Sequence, residues 1–339
     1  KRIIFMKRRN FIRNSASAGI GFSLLGIYSC KEAKKTEKDD EPVEENVIAS
    51  ATPFFKISLA QWSIHNMINS DGVDPYTFAE KAKNWGFEGL EYVSQLYDKE
   101  LEAANYSKEA MQSFVDKCNA EAEKHGLKNL LIMIDGQGDL ATSDPEERKK
   151  AVENHYKWVD AAASMGCHAI RVNLAGSSDP VEWKANSIDG LSMLSAYAKT
   201  KNINILVENH GGLSSNAAML SEVMTSVNMP NCGTLPDFGN FCIKRKDPKD
   251  YAAGCAENYD IYQGVEELMV HAKAVSAKSH NFDANGNETV IDYVRMLQIV
   301  KDAGYTGYIG VEYEGRELSE EEGIIATRDL LLRASKEIT

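Results

Sequence analysis

From residue 54 onward, short apolar runs alternate with longer amphipathic stretches. Eight runs read as strands, at 56–61, 88–93, 129–134, 168–173, 203–208, 232–237, 273–279 and 308–313. Each is nearly continuously apolar rather than alternating, as in parallel strands buried on both faces. The stretches between them carry helix signals. Asp74-Pro75 and Asp144-Pro145 each set an N-cap before a first-turn proline. Gly86, Gly126, Gly166 and Gly304 stop helices just ahead of the next strand. Ala151, His155, Trp158, Val159 and Ala162 recur at helical spacing, which puts Trp158 in the core. The segments WGFEGLEYV at 85–93 and AGYTGYIGV at 303–311 echo each other, as repeated βα units would. The pattern predicts an α/β chain whose residues 51–339 form a single-domain (β/α)₈ TIM barrel. An open doubly wound sheet is the alternative, but no G-x-G-x-x-G follows the first strand.

The first fifty residues break this pattern. Basic residues precede a small, apolar stretch at 15–29 that is too short and too rich in Gly and Ser for a spanning helix. Arg8-Arg9-Asn10-Phe11-Ile12-Arg13 resembles a twin-arginine export signal; an ordinary signal with a basic start is the alternative. Ile27-Tyr28-Ser29-Cys30 resembles a lipoprotein cleavage box, although Tyr28 is bulky for one. Residues 1–30 are therefore expected to be an address. Residues 31–50, charged and without an aromatic, are expected to be a disordered tether. The expected location is exported and periplasmic, with membrane contact only through a lipid at Cys30.

Charge narrows the partners. The chain carries −12, and its first thirty residues hold six cations and no acid, so the remainder carries −18. Such a body repels phosphate backbones and anionic membranes, which argues against nucleic acid as a partner. Six cysteines without a C-x-x-C pair are too sparse for a disulfide scaffold or a structural zinc site.

In a barrel the chemistry sits at the C-terminal ends of the strands. Those ends carry Gln61, His65, Glu91, Asp135, Arg171, Asn173, Glu208, His210, Asp237, Asn240, Lys278, His280, Glu312 and Glu314. Glu208 follows Ile205-Leu206-Val207, Asp237 closes a strand, and Glu312 follows Tyr308-Ile-Gly-Val311. Any one of them could cap a helix or pair with a lysine or arginine. Three together on one rim call for neutralisation, and a divalent cation with hard oxygen ligands is the simplest means. His125, His155, His168 and His271 read as structural or surface residues.

With these residues in view, 54–335 resembles the xylose-isomerase-like barrel superfamily. The resembling stretches are SLAQWS at 58–63, WGFEGLE at 85–91, IRVN at 170–173, VENH at 207–210, LPDFGN at 235–240, VSAKSH at 275–280 and GVEYE at 310–314. The resemblance implies one divalent metal held by Glu208, Asp237, His280 and Glu312. Mn²⁺ is the first choice, with Mg²⁺, Co²⁺ or Zn²⁺ as alternatives. The family often shows His-x-Lys on the seventh strand, where this chain has Ser276 before Lys278, so His280 is the ligand that departs from the pattern. Period-two alternation keeps Ser276, Lys278 and His280 on one face.

The resemblance further implies proton transfer beside a carbonyl. Glu208 and Glu312 would be the paired bases and Lys278 would steady the oxyanion. Trp62, Glu91, Arg171, His210 and Asn240 would bind a small sugar or glycoside. A metal-dependent sugar isomerase or epimerase is the first reading. An exported lyase or hydrolase acting on keto-glycosides by the same enolate chemistry is the second, and a non-catalytic carbohydrate-binding barrel the third. A homo-oligomer is left open. Loops 94–110, 136–143, 174–190 and 241–262 would choose the substrate.

Overall fold

The computed structural model describes residues 52–247, 249 and 253–338. The twin-arginine-like segment, Cys30 and the charged tether lie outside the described residues. The barrel strands are β1 (Lys56–Ala60), β2 (Gly89–Val93), β3 (Lys128–Ile134), β4 (Ala169–Val172), β5 (Asn204–Glu208) and β6 (Cys232–Leu235). After an excursion, β7 (Cys242–Arg245) and β8 (Cys255–Asn258), come β9 (Val275–Ser279) and β10 (Tyr308–Tyr313). The eight barrel strands pair in parallel in the order β6-β5-β4-β3-β2-β1-β10-β9. The two end members meet through parallel bridges at Thr234–Ala272 and Asp237–Ser276. There the Ser276 N–H donates to Pro236 O at 2.9 Å and the Phe238 N–H to Ser276 O at 3.1 Å. Each predicted strand is present with its ends moved by at most two residues; the run 308–313 is unchanged, and the runs at 56–61 and 232–237 end earlier, where Gln61 and Pro236-Asp237 turn into the following loop.

Helices wrap the sheet because their caps start them where the pattern requires. The Asp144 carboxylate accepts the Glu146 and Glu147 N–H groups ahead of helix Pro145–Ser164. Asp179 does the same before Pro180–Lys199, a third Asp-Pro start. Gly126 ends helix Lys108–His125 at φ 66°, a left-handed conformation that costs an L side chain energy. Trp158 is fully buried, edge-on to Phe114 at 5.8 Å, in the core as its helical spacing requires.

The interior of the barrel is not wholly apolar. Ser58, Glu91, Arg171, Glu208, Asp237, Ser276, Lys278 and Glu312 are all buried. In β10, Gly310 and Glu312 follow the strand's two-residue period, and Glu314 continues it one residue past the strand end. Gly310 leaves room for Glu91: a Cβ there would come within 2.5 Å of its carboxylate.

The β7–β8 pair is antiparallel and interrupts the βα alternation between β6 and helix Ile261–Met269. Cys242 and Cys255 are joined by a disulfide with their Cα atoms 5.8 Å apart. The polar segment between them reads as loop in sequence, and cysteine spacing alone does not announce the pairing. Among the described residues Cys118, Cys167 and Cys232 are free.

Candidate active site

A cavity of about 820 Å³ opens at the C-terminal ends of the strands. Trp62, Asp135, Arg171, His210, Asn240, Glu312 and Glu314 line it. Cys242 and Arg245 of the β7–β8 hairpin also line it, as do His280 and Arg316. Trp62 stacks on His65 with ring centroids 4.3 Å apart, so the imidazole covers part of the indole.

Beneath this cavity, which Glu312 lines, the barrel delivers three carboxylates to one place. Glu208 ends β5, Asp237 follows β6 and Glu312 lies in β10. One oxygen from each lies within 4.8 Å of the other two, and all three side chains are buried. Parallel register explains the convergence. Asp237 bridges to Ser276, and Glu312 pairs with Lys278 one two-residue step further along, so four residues from three adjoining segments occupy two successive inward levels, joined by the Ser276 hydroxyl.

Each carboxylate is held. Arg171 Nε stands 2.8 Å from Glu208 Oε2, and Asn240 Nδ2 donates to Glu208 Oε1 at 3.0 Å. Asp237 Oδ1 accepts the Gly239 and Asn240 N–H groups at 2.8 Å. Ser276 Oγ lies 2.7 Å from Asp237 Oδ2 and 2.9 Å from Glu312 Oε2. Lys278 Nζ lies 2.5 Å from Glu314 Oε1, 3.1 Å from Glu312 Oε1 and 3.8 Å from Asp237 Oδ2. Arg171 also reaches Asp135 at 3.2 Å, and Asn173 Nδ2 donates to the same oxygen at 2.6 Å.

The electrostatics follow from burial and from these neighbours. Burial pushes Glu208 up to about 7 against the pull of Arg171, and Asp237 up to about 7 against the pull of Lys278. Burial also raises Asp135, but Arg171, His210 and Asn173 together outweigh it and the group is lowered. His210 is lowered by burial and by the nearby Arg171. Burial works against the Lys278 ammonium, yet Glu312, Asp237 and Glu314 together hold it protonated, well above the ordinary lysine range.

Two of the residues named from sequence stand elsewhere. His280 lies one residue past the end of β9 and is exposed; it lines the cavity mouth and is not brought to the three carboxylates. The strand ends before a third inward position, so Ser276 and Lys278 hold the inward places. Glu91 is not at the level of the cavity. It is buried deeper, where Ser58 Oγ donates to it at 2.6 Å, and burial raises it to about 8. Its neutral acid form therefore predominates near pH 7.

Sequence reasoning passed over Asn209. Its side chain accepts the Asp237 N–H at 2.8 Å and donates to Asp237 O at 3.0 Å, fixing the turn that presents the carboxylate. Strand alternation reads Asn209 as outward-facing, and only the neighbouring β6 end gives it that task. Gln61 is likewise structural: it donates to the Tyr97 hydroxyl at 2.9 Å and accepts the Val93 N–H.

The donor set suits a divalent ion. Here Asp135, Glu208, Asp237, Glu312 and Glu314 face the fixed cations Arg171 and Lys278, an excess of negative charge that a metal would offset. The three convergent oxygens are hard donors.

Comparison with known proteins places the chain in a family. No curated protein sequence matches significantly. Among solved structures, the IOLI protein with a bound zinc atom superposes with a TM-score of 0.61 at 15% identity, covering 84% of this chain and 99% of that one. D-allulose 3-epimerase from Methylomonas sp. does so with a TM-score of 0.61 at 15% identity, covering 84% and 99%. The 3-keto-D-glucoside 4-epimerase YcjR from E. coli gives 0.59 at 14% identity, covering 81% and 98%. At these identities the likeness is one of fold. The sequence itself matches the profile of a family over residues 79–334, three quarters of its length, and the chain accordingly belongs to the xylose isomerase-like TIM barrel family.

Proposed function

We propose that this protein is a sugar isomerase or epimerase that moves a proton on a carbon next to a carbonyl. The convergence of Glu208, Asp237 and Glu312 beside the Lys278 ammonium, beneath a cavity, carries this reading. Glu208, Asp237 and Glu312 would hold one divalent cation, Mn²⁺ or Mg²⁺ in the first place; when bound, it would polarise a carbonyl and acidify the adjacent C–H.

The chain's own residues supply the rest. Glu208 offers the first carboxylate that can accept a proton and return it. Arg171 and Asn240 fix its two oxygens and so aim it. Glu312 offers the second carboxylate across the group. Two such bases on opposite faces give epimerisation, and one base serving two carbons gives isomerisation. Lys278, held protonated by its acidic neighbours, donates to oxygen charge that develops on the substrate. Trp62 offers an aromatic surface to the apolar face of a sugar ring, with His210 and Asn240 as hydroxyl partners.

A second reading is elimination or hydrolysis of a keto-glycoside through the same enolate. The volume of about 820 Å³ favours a substrate larger than one sugar ring, since drug-sized ligands occupy pockets of roughly 300–1,000 Å³. The name of the E. coli neighbour, a keto-glucoside epimerase, points the same way. We place the protein outside the cytoplasm. The Cys242–Cys255 disulfide supports this, because such bonds persist in oxidising compartments, and so does the twin-arginine-like segment.

Incubation with keto-sugars and keto-glycosides in deuterated water tests the proposal. Deuterium in recovered substrate or in an epimer is the expected result. Release of an aglycone without back-exchange selects the second reading. Binding of sugar without either leaves a carbohydrate-binding barrel.

A further inference from the structure

We propose that Ser276 supplies a fourth oxygen donor to the Glu208–Asp237–Glu312 group, making this an all-oxygen site that suits a hard divalent cation, Mg²⁺ or Mn²⁺, and favours Zn²⁺ less than a site with an imidazole ligand would. The inference rests on the reading of those three carboxylates as a metal site. Ser276 is buried, with its oxygen 2.7 Å from one carboxylate of the group and 2.9 Å from another. A hydroxyl has a single proton, so it serves one of these two acceptors at a time and leaves the other without a donor. Lys278 Nζ meets Glu312 Oε1 at 3.1 Å but stands 3.8 Å from Asp237 Oδ2, beyond hydrogen-bond distance, so it leaves this pair of oxygens in need of a further positive partner.

The position of Ser276 is set by the backbone. The Ser276 N–H and carbonyl make the two hydrogen bonds that join β9 to the β6 end, at 2.9 Å and 3.1 Å. The oxygen is thus fixed to the same seam that presents Asp237. No nitrogen or sulfur ligand joins the group among the described residues. His280 is exposed beyond the strand, and the Lys278 nitrogen is engaged by Glu314 at 2.5 Å and Glu312 at 3.1 Å. Zinc centres draw chiefly on imidazole and thiolate, whereas carboxylate and hydroxyl oxygens suit Mg²⁺ and Mn²⁺.

The test is calorimetric titration of the chelator-treated full chain with MnCl₂, MgCl₂ and ZnCl₂, with the Mn²⁺ spin-resonance signal as a second readout. Ser276→Ala should weaken Mn²⁺ roughly tenfold, and Ser276→Thr, which keeps the hydroxyl, should hold most of the affinity. Ser276→His should raise the ratio of Zn²⁺ to Mn²⁺ affinity by about tenfold or more. Unchanged Mn²⁺ binding in the alanine variant, or equal loss in the alanine and threonine variants, overturns the role of Ser276 while leaving the three-carboxylate site standing. A wild-type chain that binds none of the three ions overturns the metal reading itself and this inference with it. Deuterium incorporation by a chain that binds none of the three ions would keep the proton-transfer reading and remove only the ion, whereas metal binding without incorporation would keep the site and remove the reaction.

Discussion

Arg171 Nε stands 2.8 Å from Glu208 Oε2 inside the barrel, with 4% of the arginine side chain and 1% of the glutamate exposed. The pair joins the middle of β4 to the end of β5. Removing the cation alone would leave a buried carboxylate with the Asn240 amide but without its ion-pair partner. Arg171→Met is expected to cost about 3–5 kcal/mol of stability, read from urea melts. Arg171→Met with Glu208→Gln should recover part of that loss; a single variant as stable as wild type would show that water reaches the pair.

Glu208→Gln and Glu312→Gln each keep the shape and remove a proton acceptor. Turnover should fall by about 10²–10⁴ in each, with circular dichroism unchanged. Substantial activity in both would remove them from the chemistry.

Chelator treatment should abolish turnover, and Mn²⁺ or Mg²⁺ should restore it. Metal content measured before and after the treatment makes the result decisive, since full activity in a verified metal-free sample would leave Lys278 as the sole electrophile.

Glu91 gives a pH signature of its own. Its folded value of about 8 lies above its ordinary 4.5, so the folded state binds more protons than the unfolded state between those limits. Stability should therefore fall as pH rises through that window, by up to about 1.4 kcal/mol per pH unit from this group. Below pH 4.5 the effect vanishes, and above 8 it is complete. Glu91→Gln should flatten the slope in melts taken at pH 5, 6.5 and 8; an unaltered slope would mean that the carboxyl is better solvated than its 2% exposure indicates.

The Cys242–Cys255 bond closes a short loop on a hairpin that lines the cavity. Reduction, or replacement of both cysteines by serine, should loosen the hairpin while the barrel stays folded. The chain-entropy account puts the loss at about 3 kcal/mol for a loop of this size. The functional readout is a raised KM with kcat less affected, because Cys242 and Arg245 border the mouth and the three carboxylates lie beneath it. Equal kinetics in oxidised and reduced protein would set the hairpin apart from substrate binding.

The order of apolar runs, the Asp-Pro helix starts and the glycine stops were enough to specify eight βα units. Strand periodicity also marked Glu208, Asp237 and Glu312, because a charge at the end of a buried apolar run demands a partner. These are local properties, written in spacings of two and three to four residues. The fate of Ser276, His280 and Glu91 was decided between strands. Where β9 stops and how it docks against the β6 end set which of Ser276, Lys278 and His280 look inward. The neighbouring Gly310 lets the Glu91 carboxyl settle below the cavity. The pairing of Cys242 with Cys255 and the grip of Asn209 on Asp237 belong to the same class. They depend on register and closure across segments distant in the chain, for which no local spacing carries a signal.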